Sequence, residues 1–152
     1  MSQKLKEKSL LPDTPGTPAA SGATGDGELD ERIRLALQAA AEKKALDLVV
    51  LDLRAIASFT DFFVITSGTN RRQVQAISDG VVDHLKKNGT RAARVEGYQT
   101  AEWILVDYGD FILHVFDEKA RRFYDLERLW REAVRVDVPP DHFGAVGSLR
   151  EK

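Results

Sequence analysis

Cysteine is absent from this chain and methionine occurs once. Without a thiol there is no disulfide framework, no thiolate nucleophile and no zinc-finger ligand set. Also missing is any apolar run approaching the ~20 residues needed to span a bilayer. A basic excess is lacking too: 22 Lys and Arg stand against 24 Asp and Glu, for a formal net charge of −2. A broad basic face gripping nucleic acid is therefore disfavoured, although a local cationic cluster is compatible with the balance. The opening "MSQKLKEKSLLPDTPGTPAASG" has lysines but neither the apolar core of a secretory signal nor the arginines of a mitochondrial presequence. Cytoplasmic location is the expectation.

What is present suits a single α/β domain. The chain has 152 residues, 43% hydrophobic and 30% charged, enough to enclose one core under a charged surface. Residues 1–27 are rich in Pro, Gly, Thr, Ser and Ala, and such composition buries too little to offset ordering entropy. They are expected to form a flexible tail. Residues 137–152, with two adjacent prolines, are expected to form another, which leaves residues 28–136 as the domain.

Within that span, Leu29, Ile33, Ala36, Leu37 and Ala40 recur at helical spacing and predict a helix from Glu28 to Lys44. "ALDLVVLDL" (45–53) and "DFFVITSG" (61–68) read as buried strands. Asn70 with Gln73 makes a capping-box pattern for a helix striped by Val74, Ile77, Val81 and Leu85, and "NG" at 88–89 ends it. "RAARVEG" (91–97) is a short strand, and "EKARRFYDLERLWREAV" (118–134) closes the domain as one or two short helices. The order α-β-β-α-β-β-β-α predicts a mixed sheet. Leu126, Leu129, Trp130 and Val134 are read as core packing, and Glu118, Lys119, Arg121 and Arg122 as a solvated charged face.

"EWILVDYGDFILHVF" (102–116) holds most of the chemistry. With Gly109 and Asp110 as the turn of a hairpin, Tyr108 lies opposite Phe111, Val106 opposite Leu113 and Ile104 opposite Val115. These six carry no charge and form the core face. The other face pairs Asp107 with Ile112, Leu105 with His114 and Trp103 with Phe116. Three readings suit it. Asp107 and His114 form a catalytic dyad, His114 is a buried residue satisfied by a neighbour, or the face recognises a protein with Trp103 as anchor. No Ser or Cys adjoins the pair to act as nucleophile, and no second carboxylate shares the face to hold a metal. Recognition is the favoured reading, with no catalytic residue, metal or cofactor.

"ITSGTNRRQV" (65–74) offers a second constellation. Ser67 and Gly68 are compatible with a phosphate cradle, so a nucleotide-binding or nucleotidyl-transferring enzyme is the alternative function, although no Walker lysine is present. Arg71 and Arg72 stand where a helix dipole disfavours cations. They are candidates for contact with RNA phosphate or an acidic partner, against the plainer reading of solvated arginines.

Three stretches, "DLRAIASFTDFFVITSGTNRRQV", "AEWILVDYGDFILHVF" and "RRFYDLERLW", resemble the signatures of the ribosomal silencing factor family, also called Iojap-like. The resemblance implies a nucleotidyltransferase-like fold without its acidic metal pair. It implies a translational repressor that binds the large ribosomal subunit through its fourteenth ribosomal protein. Joining of the small subunit is thereby blocked when nutrients are short. The implied contact residues are Trp103, Leu105, Asp107, Tyr108 and His114. Of these, Tyr108 conflicts with the hairpin register, which turns its ring into the core. Self-association of the free chain through an exposed apolar face is left open.

Overall fold

A computed structural model describes residues 30–138; the expected N-terminal tail, and the expected C-terminal tail beyond residue 138, lie outside the described residues. In chain order the elements are α1 (Glu31–Glu42), β1 (Leu46–Asp52), β2 (Phe62–Gly68), α2 (Arg71–Lys87) and β3 (Arg94–Glu96). They continue with β4 (Trp103–Asp107), β5 (Phe111–Asp117), α3 (Glu118–Tyr124), α4 (Leu126–Leu129) and β6 (Val134–Val136). The strands form one six-stranded sheet in the order β3-β4-β5-β2-β1-β6. Only β2 and β5 run parallel; the other neighbouring pairs are antiparallel. The chain is thus an α/β domain built on a mixed sheet.

The long helices form where their stripes predict and cover one face of the sheet. Asp30 caps α1 by accepting the Arg32 amide at 2.8 Å, and the helix ends at Glu42 because Lys44 adopts a positive φ. Val74, Ile77, Val81 and Leu85 of α2 are all fully buried. Asn70 caps α2 by accepting the Gln73 amide at 2.8 Å. The Gln73 side chain departs from the reciprocal capping box: its Oε1 accepts from the Thr69 amide, and its Nε2 donates to the Lys43 and Lys44 carbonyls. One side chain therefore ties the start of α2 to the end of α1.

The hairpin register is as the sequence predicts, with Trp103 opposite Phe116, Leu105 opposite His114 and Asp107 opposite Ile112. Ile104, Val106, Tyr108, Phe111, Leu113 and Val115 all join the core under α1 and α2. Beyond β5 the expectations need correction. Leu126 and Trp130 are buried, but Leu129 is 39% exposed and Val134 is 62% exposed. Val134 belongs to the edge strand β6, which pairs with β1, and not to a helix. No described helix is long and apolar enough to cross a membrane.

Candidate functional site

The second face of the sheet is only partly covered. α3 and α4 fold back over it, and Phe63, Ile65, Phe116, Leu126 and Trp130 make a smaller core there. Toward β4 the cover thins. Trp103 is half-buried, its ring 4.9 Å from that of Phe116 and 4.7 Å from that of Tyr124. Phe123 is 78% exposed and Tyr124 46% exposed, and their rings meet edge to face. Trp103, Phe123 and Tyr124 form one aromatic patch open to solvent, with half-buried Leu105 alongside on β4.

Trp103 is held from below. Its indole Nε1–H donates to His114 Nδ1 at 3.0 Å. The remaining imidazole proton is thereby placed on Nε2. The His114 ring also meets Phe63 edge to face, with centroids 4.4 Å apart. Burial pushes its pKa down to about 3, so the ring is neutral at physiological pH. His114 is therefore not exposed on the recognition face. It lies under Trp103 and fixes the direction of the indole.

Asp107 has local work as well: its carboxylate accepts the Gly109 amide at 2.8 Å and lies 3.5 Å from Arg94. It makes no contact with His114 that would constitute a dyad; the imidazole Nδ1 is taken by Trp103. Tyr108 faces the α1–α2 side, as the register predicts, on the opposite face of the sheet from Trp103. Its hydroxyl is buried without a hydrogen-bond partner among the described residues, and burial pushes its pKa up to about 12.

The Ser67–Gly68 segment is not an open cradle. Both residues are buried within β2, and the Ser67 hydroxyl accepts from Arg121 Nη1 at 2.8 Å. A Cβ on Gly68 would stand 3.1 Å from the Val74 amide nitrogen, so the backbone there is already close-packed. Arg121 was expected among solvated charges, yet its side chain is only 12% exposed and forks onto Glu127. Arg71, at the start of α2, pairs with Glu102 at 3.1 Å, while Arg72 is exposed. Among the described residues no group of three His, Asp or Glu side chains is placed to hold a metal.

Phe123 and Tyr124 were missed in the sequence, although a signal was there. Two consecutive aromatics lie between Arg122 and Asp125, and in a helix of this length charged neighbours on both sides mark that surface as near solvent.

The fold and this patch define a class: a small α/β domain whose second sheet face leaves aromatic rings open to solvent. A family model described as "Ribosomal silencing factor during starvation" matches residues 26–149. The chain is 39% identical over 108 residues to ribosomal silencing factor RsfS of Halalkalibacterium halodurans, covering 71% of this chain and 92% of that one. It is 33% identical over 92 residues to the Mus musculus mitochondrial assembly of ribosomal large subunit protein 1, covering 59% and 40%. A crystal structure of a Chromobacterium violaceum protein superposes with a TM-score of 0.65 at 33% identity, covering 72% of this chain and 88% of that one. The chain belongs to the ribosomal silencing factor family.

Proposed function

We propose that this protein is a non-catalytic translational repressor. It docks on the large ribosomal subunit through that subunit's fourteenth ribosomal protein and, once bound, keeps the small subunit from joining under nutrient limitation. Family membership supports the ribosomal setting, and the mouse relative's name refers to the large subunit. The observation that carries the reading is the aromatic patch. Solvent-exposed Phe123 and Tyr124 beside Trp103 are costly to leave wet, and such patches serve as docking surfaces. Trp103 is the anchor, its orientation set by His114. Leu105 and Asp107 flank it, and neither Tyr108 nor the buried His114 is a contact. The enzyme alternative has less support, because Ser67 and Gly68 are buried and the Ser67 hydroxyl is engaged by Arg121.

Co-sedimentation with isolated large subunits tests the docking. Phe123→Ala removes a mostly exposed ring whose described ring contact is with Tyr124, so folding stability should change by less than about 1 kcal/mol. Binding should weaken by at least ~2 kcal/mol, roughly thirty-fold. Trp103→Ala should weaken binding at least as much, with a stability loss of about 1–2 kcal/mol from its half-buried stacking. If both variants sediment as the parent does, the patch is not the docking surface.

A further inference from the structure

A second feature adjoins the patch on the other side of α3. Parallel neighbours β2 and β5 end side by side, with Gly68 opposite Asp117, and each strand runs into a helix. Between those helix starts lies an open cleft of about 610 Å³ lined by Arg71, Arg72, Lys119 and Arg122. Two basic runs far apart in sequence thus share one concavity.

Four cations face two carboxylates in the lining. Arg71 is paired with Glu102, but Arg72, Lys119 and Arg122 make no ion pair with any described residue, and all three are exposed. The two carboxylates of the lining are Asp117 and Glu118. Asp117 is directed at the backbone, accepting the Lys119 amide at 2.9 Å. Lys119 and Arg122, three apart on α3, share a side of that helix, whereas Arg121 turns away toward Ser67 and Glu127. The helix starts are already capped by Asn70 and Asp117, so attraction for an anion comes from the side chains. In a chain of net charge −2 this is a local concentration of cations.

No cation of the cleft is deeply buried, and the cleft is open. That geometry suits an extended polyanion gripped along its charge, not an enclosed small phosphate. Chain neighbours link the cleft to the aromatic patch: Arg122 precedes Phe123 on α3, and Glu102, the partner of Arg71, precedes Trp103. One half of the surface is apolar and the other cationic, as a site spanning protein and RNA requires. We propose that Arg72, Lys119 and Arg122 bind the sugar-phosphate backbone of ribosomal RNA beside the protein met by the aromatic patch. The inference rests on the docking reading above.

The test uses the full chain and isolated large subunits over a range of salt concentrations. The triple variant Arg72→Gln, Lys119→Gln, Arg122→Gln should keep the parent's melting temperature and bind more than tenfold more weakly at low salt. Its plot of log affinity against log salt should be shallower by about 2, since each lost phosphate contact removes ~0.7–0.9 from the slope. Phe123→Ala should lower affinity at every salt concentration and leave the slope alone. A photo-crosslinker introduced as Arg122→benzoylphenylalanine should give an adduct that ribonuclease shortens. An unchanged slope in the triple variant overturns the proposal. So does a ribonuclease-resistant adduct, which would assign the cleft to an acidic protein. If Phe123→Ala binds normally while the triple variant loses slope, the aromatic patch fails and the cleft stands. No binding by the parent chain overturns both.

Discussion

A single hydrogen bond from Trp103 to His114 sets what each residue can do. Nδ1 accepts the indole N–H, and Nε2 has no partner among the described residues, so a second proton on the imidazole would place charge in an apolar pocket. Burial accordingly lowers the folded-state pKa to about 3. In the unfolded chain the same imidazole takes a proton near pH 6.5. Between those values the unfolded state binds more protons than the folded one, so stability falls as pH drops from about 6.5 and stops falling near 3. From pH 7 to pH 5 the expected loss is ~2 kcal/mol. His114→Asn retains an acceptor near the Nδ1 position and cannot titrate, so its loss over that interval should be smaller by this amount. Urea denaturation of both proteins at the two pH values reads the difference. Parallel behaviour would mean that water reaches the imidazole. Tyr108 is the opposite case at the same scale, a phenol kept protonated by burial on the face away from Trp103.

At the scale of elements, the least regular part of the chain does the most specific work. α3 and α4 are too short to hold themselves, and side-chain ties fix them to the sheet. Arg121 donates to both Glu127 oxygens and to Ser67 Oγ, joining α3 to α4 and to β2. Burial alone would raise the Glu127 pKa, but the guanidinium groups of Arg121 and Arg135 outweigh it and hold the carboxyl below its usual range. Arg121→Ala would leave a half-buried carboxylate and a buried hydroxyl without this donor, costing about 2–3 kcal/mol. Hydrogen exchange should then quicken across residues 118–130, while α1 and α2 keep their protection. Uniform loss of protection would show that α3 is integral to the main core. These features also mark where the sequence ceased to be legible. α1, α2 and the hairpin carry several periods of apolar repetition, enough to fix register and facing residue by residue. α3 spans about two helical periods and α4 about one, separated by Asp125 at positive φ, and β6 has three residues. The Arg121–Glu127 tie crosses that break, so no helical spacing announces it. For the same reason the cover over Phe116, and the exposure of Phe123 at its edge, emerged only from the fold.

On the scale of the molecule, size limits how the proposed repression can work. A domain of this length is on the order of 30 Å across, by the usual scaling of radius with residue number. It can obstruct only what approaches within that distance of its docking point. Occlusion therefore requires the bound domain to stand at the joint between subunits, and it makes order of addition decisive. Large subunits incubated with the protein before small subunits are added should yield fewer joined ribosomes on a sucrose gradient. Preformed ribosomes given the same protein should dissociate little, because the small subunit already covers the approach. Phe123→Ala should lose most of the effect, in proportion to its lost binding. The triple glutamine variant should lose it more at low salt than at high salt, where screening has already weakened the parent's cationic contacts. Should the parent chain remain on the large subunit while joining proceeds at its normal yield, steric occlusion is wrong even though docking is right. Repression would then have to act on a step after the subunits meet.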